Sequence, residues 1–515
     1  MNKLATLLLS LLLLSCTPSL PTDVQQMTVE APVVPAQDKA TIPPNIAPLN
    51  FYIDVEADDY IAHIYNKHQH ELILKGPDID IPIDNWQQLL TDTRGDTLYT
   101  DIYILQHGAW MHYPTLRNFV AEEDIDPYIT YRLIEPSYVT YEGITINQRN
   151  ITNFDEEVIF SNSALADEDA GQCVNCHNYR NHNRTGDMQL HVREKLGGTL
   201  IVRNGQVEKV NLKTDSTLSA GVYPAWHPTL NLIAYSVNST GQVFHTRDTQ
   251  KVEVIELGSD LILYDIDHHR VYDIGSLPDE YESFPCWSPD GRYLYYTSAH
   301  YEQKSDDIDA ELDSAYQSLK YNICRRAFDA KTLRFGPADT VFNARVLGKS
   351  ASLPRVSPDG RYLLFGLADY GNFHIWHRSS DLKVIKTNYS PSQEMGEDHE
   401  AKDGETCSMD AANSPAVDSY HTWSSNGRWL IFSSRRDDNN YTRPYITYFD
   451  RQGHAHPAFI LPQRNPHFYH QFFKSFNVPE FMVAPVSVSR TTLLEAVQRD
   501  AIPAVFSGNA APATP

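Results

Sequence analysis

Positive charge is what this 515-residue chain has least of: 42 Lys and Arg against 66 Asp and Glu leave a net charge of −24. An acidic surface repels phosphate backbones and anionic lipid headgroups, which excludes nucleic acid and leaves basic partners open. Cysteine is scarce as well, with six residues in all. Cys286, Cys324 and Cys407 stand far apart, so at most one disulfide can join them, Cys286 to Cys324 being the pair within one repeat. The apolar run Leu7 to Leu14, broken by one serine, is too short to span a bilayer. No G-x-S-x-G elbow, H-E-x-x-H pair, P-loop or dinucleotide glycine fingerprint occurs. Hydrolytic and nucleotide chemistry therefore find no support, and an electron carrier or binding protein is favoured over an enzyme. What is present is β-forming: 41% hydrophobic residues and 30 tyrosines suit two or three packed domains of mainly β character.

The N-terminus reads as an address. Lys3 supplies a positive start, the Leu7 to Leu14 core follows, and Leu13-Leu14-Ser15-Cys16 ends it. This resembles a bacterial lipoprotein signal, which implies removal of residues 1–15 and lipidation of Cys16. A plain secretory signal with an incidental cysteine is the other reading. Thr17 after the cysteine implies, by analogy with lipoprotein sorting, the outer membrane, facing periplasm or cell surface. Residues 16–48, rich in Pro, Ala, Thr and Gln, read as a flexible tether.

Cys173-Val174-Asn175-Cys176-His177 is the most specific motif in the chain. Two thiols three positions apart with a histidine straight after them form the attachment pattern of c-type haem. The cysteines would bond the vinyl groups, and His177 would be the proximal ligand of one covalent haem c. A zinc half-site or a plain thiol pair on a turn are the alternatives; zinc needs two more soft ligands that the isolated downstream cysteines do not supply. For the sixth iron ligand, Met188 is ranked first, then His191, then His182, with an open or remote site also possible. Met188 and His191 share a face if their segment is helical. Arg180 and Arg184 are candidate partners of the haem propionates, or plain surface arginines.

On either side of this motif the pattern is strand after strand. Residues 49–160 alternate apolar and polar between turn signals such as Gly76-Pro77 and Asp126-Pro127, which suggests a β-sandwich with Trp86 and Trp110 in its core. Beyond residue 195 a hairpin recurs: Tyr223-Pro224-Ala225-Trp226-His227-Pro228, Phe284-Pro285-Cys286-Trp287-Ser288-Pro289-Asp290-Gly291-Arg292, Leu353-Pro354-Arg355-Val356-Ser357-Pro358-Asp359-Gly360-Arg361, and Tyr420-His421-Thr422-Trp423-Ser424-Ser425-Asn426-Gly427-Arg428. The Asp-Gly and Asn-Gly turns are structural by their own chemistry, and Arg292, Arg361 and Arg428 are expected to brace neighbouring strands. The acidic runs Asp306 to Glu311 and Glu394 to Asp410 lack the glycine of a calcium loop and read as solvated insertions.

These W-S-P-D-G-R hairpins resemble the repeats of TolB-like β-propellers over residues 196–487. The lipobox, β domain, CxxCH and repeats together resemble propeller lipoproteins carrying a mono-haem motif. That resemblance implies an all-β chain: an N-terminal β-sandwich (49–160), a short haem-binding segment (161–195), a five- or six-bladed propeller (196–487) and a C-terminal tail (488–515). Two functions follow as expectations. One is an envelope-anchored mono-haem cytochrome that transfers electrons to, or senses redox through, a partner protein docked on the propeller. The other is a non-catalytic TolB-like scaffold that binds another envelope protein. Oligomeric state is left open.

Overall fold

The structure is a computed structural model that describes residues 19–135, 143–165, 173–247, 250–277, 279–305, 307–387 and 404–509. Cys16 and its leader, Asp306 and residues 388–403 lie outside the described residues. The chain divides into two compact units, 1–124 with 462–471 and 125–461 with 472–515.

Among the described residues the first unit holds a seven-stranded sheet, a three-stranded sheet, the helix Ile83–Thr93 and the short helix Phe468–Gln471. Strand Thr97–Gln106 is central, pairing with Asp59–Tyr65, Ala109–His112 and Leu116–Val120. His107 and Gly108, both at positive φ, close the two-residue turn after it, as a tight hairpin requires. The helix Ile83–Thr93 buries Trp86, Leu89, Leu90 and Thr93, the stripe expected of an amphipathic helix, and the Trp86 indole donates to the Ile46 carbonyl at 3.0 Å. Residues 19–48 differ from a solvated tether. Val24–Gln26 runs parallel to Ala109–His112, and Ala40, Ile42 and Ile46 are buried. Several apolar residues of that stretch are buried, Val33 and Ala47 among them, which its polar average conceals.

The second unit is a succession of antiparallel sheets of four or five strands. Six strands carry the argument below: β1 (Val174–Tyr179), β2 (Val222–Trp226), β3 (Glu280–Trp287), β4 (Ser350–Val356), β5 (Asp418–Trp423) and β6 (Ser475–Met482). Each lies at one edge of its own sheet. Residues 125–161, expected within the sandwich, instead supply three strands to the sheet of β6. The expected haem segment is not a separate piece: β1 and Met188–Val192 begin a five-stranded sheet.

A closed propeller of five or six blades is not formed, which corrects the sequence expectation. Among the described residues every hydrogen-bond ladder ends at the edges of its own sheet, and no sheet closes into a barrel or propeller. Hairpin chemistry dictates each local meander but carries no information about closure. Neighbouring sheets meet through side chains instead. Leu261 and Leu263 of the β2 sheet pack with Trp287 and Leu294 of the β3 sheet, and Tyr295 and Ile323 of that sheet pack with Leu363 and Phe365 of the next.

The repeated turns explain themselves. Ser288 Oγ donates to Asp290 at 2.6 Å, the backbone N–H of Arg292 donates to the same carboxylate, and Gly291 takes the positive φ. Ser357-Asp359-Gly360 and Ser424-Asn426-Gly427 repeat the arrangement. Arg292 and Arg361 fold back on the aspartate of their own turn, and Arg428 reaches the Phe449 carbonyl. The recurring tryptophan has a separate task. Trp287 donates to the Ala225 carbonyl in β2 and Trp423 to the Arg355 carbonyl in β4, each tying its sheet to the preceding one.

Candidate functional site

The six edge strands share one irregularity. Pairing slips between Asn175 and Asn178 in β1, Val222 and Ala225 in β2, Ser283 and Cys286 in β3, Ser352 and Arg355 in β4, and Ser419 and His421 in β5. In β6 the slip faces Thr130 and Arg132 of the partner strand. Within each slip one non-glycine residue adopts left-handed backbone: Cys176 (φ 53°), Tyr223 (48°), Phe284 (52°), Leu353 (56°), Tyr420 (31°) and Val478 (50°). Each such residue costs about 1–2 kcal/mol, so six together rival the 5–15 kcal/mol of net stability typical of a domain. All six line one cavity of about 700 Å3. Strain repeated at one place is a mark of function rather than of folding convenience.

The residue after each bulge is proline in four strands and histidine in two: His177 in β1 and His421 in β5. The two imidazoles are held alike. His177 Nε2–H donates to the carbonyl of Val478 at 3.0 Å, and His421 Nε2–H donates to the carbonyl of Leu353 at 2.7 Å, each acceptor being the bulge residue of another edge strand. Burial lowers both pKa values to about 3, with Arg132 beside His177 and Arg355 beside His421 adding to the effect. Both rings are therefore neutral at physiological pH and keep the Nδ1 lone pair. His421 Nδ1 is buried and has no protein partner.

The motif residues converge here. Cys173, Cys176 and His177 all line the cavity, Cys173 half-buried and Cys176 buried, and both thiols are free. Burial raises the Cys176 thiol pKa, against the pull of Arg193 and Arg132. Of the remaining wall, Tyr223, Phe284, Phe373, Trp376 and Tyr420 supply aromatic surface. Such a wall is typical of small-molecule sites, as is the volume. The cavity also fits the group that the thiol motif implies: two reactive side chains at its wall, a neutral imidazole next to them, and flat apolar surface around.

The other predicted ligands are not at this wall. Met188 and His191 lie on a strand, Met188–Val192, not a helix, so three positions apart puts them on opposite faces. Met188 is buried in the core with Tyr179 and Leu190, and His191 Nδ1 bonds Thr199 Oγ1 at 3.1 Å. His182 sits in a left-handed turn whose carbonyl accepts from the Val483 amide. Among the described residues no three His, Cys, Asp or Glu side chains gather to hold a metal ion. Of the proximal candidate His177 and the alternative sixth ligands Met188 and His191, only His177 lines the cavity. Arg180 pairs with Asp187 at 3.4 Å and the Leu230 carbonyl, and Arg184 is exposed; neither lines the cavity. The guanidinium groups that do line it are Arg132, Arg193, Arg355 and Arg435. Sequence reasoning missed these four together with His421, although the recurring bulge position, visible as Cys176-His177 against Tyr420-His421, was a signal for the latter.

Comparison with known proteins gives distant likenesses only. No family model matches the chain, and no curated protein matches it. A putative TolB from Agrobacterium tumefaciens is similar at 12% identity and a TM-score of 0.36, covering 69% of this chain and 98% of that one. The oligogalacturonate lyase of Vibrio parahaemolyticus shares 12% identity at a TM-score of 0.32, over 82% of this chain and 100% of that one. Kuenenia stuttgartiensis hydrazine synthase shares 10% identity at 0.33, over 68% and 91%. The chain thus bears a distant similarity to a TolB-like protein, and at these scores nothing about activity or ligand transfers from any of the three.

Proposed function

We propose that this chain is a non-catalytic binding protein of the cell envelope, lipid-anchored through Cys16, whose second unit holds one flat, largely apolar guest. The observation that carries the reading is the convergence of six strained bulges on one aromatic-walled cavity. A cavity built by the same device in every sheet is a feature of the scaffold, and Trp376 on its wall gives it an optical reporter.

A second, finer reading has its own observation. Both thiols of Cys173-Val174-Asn175-Cys176-His177 face the same cavity beside a neutral imidazole, which favours covalent haem c as the guest and electron transfer or redox sensing as the role. Cys173 and Cys176 would hold the macrocycle by thioether bonds and His177 would offer a nitrogen lone pair; the haem would supply one-electron chemistry. The chain itself excludes water with Tyr223, Phe284 and Tyr420 and holds His177 through the Val478 carbonyl.

Full-length protein made with a haem-attachment system is expected to give a pyridine haemochrome spectrum and to keep its haem through denaturing electrophoresis. Cys173→Ala with Cys176→Ala should abolish both signals. Haem-free protein under these conditions overturns the second reading and leaves the first. The first fails if neither haem nor an added porphyrin quenches the Trp376 fluorescence, measured as the difference between wild type and Trp376→Phe.

A further inference from the structure

In a chain of net charge −24, this cavity wall carries four guanidinium groups. Several arginines elsewhere are matched with carboxylates: Arg94 with Asp124 at 2.7 Å, Arg203 with Asp267 at 2.7 Å, Arg436 with Asp418 at 2.9 Å. Among the described residues Arg132, Arg193, Arg355 and Arg435 form no such pair. Arg435 is the extreme case. It is 3% exposed, its guanidinium lies 3.5 Å over the Trp376 ring, and its hydrogen bonds go to the neutral carbonyls of Ile375 and Asn440. Burial lowers its pKa to about 9, against the pull of Asp438 and Tyr420. Arg132 bonds the Asn175 side chain, and its Nε is buried without a partner. Arg355 donates to the Pro354 carbonyl at 3.0 Å.

Three carboxylates share the wall, Glu135, Glu194 and Glu480, and they offset only part of this charge; Glu194 adjoins Arg193 and, against burial, helps hold its pKa up. Glu135 is turned to Lys474 at 4.0 Å. Glu480 accepts from Asn178 at 2.8 Å, and burial raises its pKa to about 7 despite Arg355, so it carries about half a charge near neutrality. A buried cation such as Arg435 is costly, and the planar fork of arginine is shaped for carboxylates.

We propose that the guest is a dianion, and that its carboxylates are received by Arg132, Arg193, Arg355 and Arg435 while its flat body lies against the aromatic wall. This rests on the binding reading above and adds the charge of the ligand to it. An apolar guest without acidic groups would leave the excess of cations on this wall facing it unmatched.

The test uses the full chain isolated without attached haem, titrated with protoporphyrin IX and with its dimethyl ester, which has the same ring and no carboxylates. Binding is read from tryptophan quenching. The diacid is expected to bind at least about tenfold tighter than the ester, since one charge-assisted hydrogen bond suffices for that ratio. Arg193→Gln, at an exposed position, and Arg355→Gln should each weaken the diacid by about tenfold and leave the ester unchanged. Equal affinities for diacid and ester in wild type overturn the proposal while sparing the binding reading. Binding of neither overturns both.

Discussion

Replacing Glu282 by leucine is expected to cost about 3–5 kcal/mol of stability, and replacing its partner Arg326 by leucine distinctly less. The two form a buried pair at 3.2 Å between β3 and strand Asn322–Asp329, with side chains 3% and 6% exposed. Arg326 also donates to Tyr296 Oη at 3.1 Å and to the Gly275 carbonyl at 3.0 Å. The asymmetry comes from what each partner can do when left alone. A guanidinium cannot shed its proton, so Glu282→Leu strands a permanent buried cation. Glu282 has an escape, because burial already holds its pKa at about 7 against the attraction of Arg326. Without Arg326 it binds a proton and becomes neutral. The double variant, with both charges gone, should recover most of the loss of Glu282→Leu. Chemical unfolding of the three variants at pH 7 decides this; equal costs for the two single changes would show that packing, not charge, governs the site.

That pair and the cavity show which parts of the molecule were legible in the sequence. The turns were, because Ser288, Asp290 and Gly291 act within five residues of one another and need no distant partner. Strand character was legible for the same reason. Closure of the sheets was not, since it is decided by how whole sheets stack and not by any residue pattern within one. The thiol motif lies at a cavity wall, yet the axial candidates were chosen by nearness in sequence, which brought in Met188 and His191. Both proved to belong to a strand that directs one to the core and the other to Thr199. The cavity's actual second imidazole, His421, stands 244 positions from His177, and only the equivalence of bulge positions relates them. The arginines were illegible for a further reason. Arg132, Arg193, Arg355 and Arg435 come from four different parts of the chain, and local charge patterning cannot report a cluster that exists only after folding.

The protein is expected to be unusually sensitive to mild acid. Burial lowers the pKa of His191 and His227 to about 4 and of His374 and His421 to about 3, from an ordinary value of 6.5; Arg193 beside His191, His377 beside His374 and Arg355 beside His421 push the same way. A depressed folded-state pKa means that the unfolded chain takes up protons first. The contribution of each ring is complete above pH 6.5 and is lost as pH falls toward 4. Each ring at full slope removes about 1.4 kcal/mol per pH unit, so the four together remove about 5 kcal/mol per unit. Glu282 and Glu480 act in the opposite sense. Their raised pKa values of about 7 make the folded state bind protons first between pH 7 and 4.5, which offsets roughly half of the histidine slope. The net result is a stability maximum near pH 6.5–7 and a fall of about 2–3 kcal/mol per pH unit below about pH 6, about 4–6 kcal/mol by pH 4, which matches the lower end of a typical 5–15 kcal/mol. Urea midpoints at half-unit steps from pH 7.5 to 4.5 measure it. His374→Gln should flatten the acid limb by about 1.4 kcal/mol per pH unit whatever it costs at pH 7, because it removes the titrating nitrogen. A midpoint that stays level from pH 7 to 5 would mean that these rings are already protonated, or solvated, in the folded state.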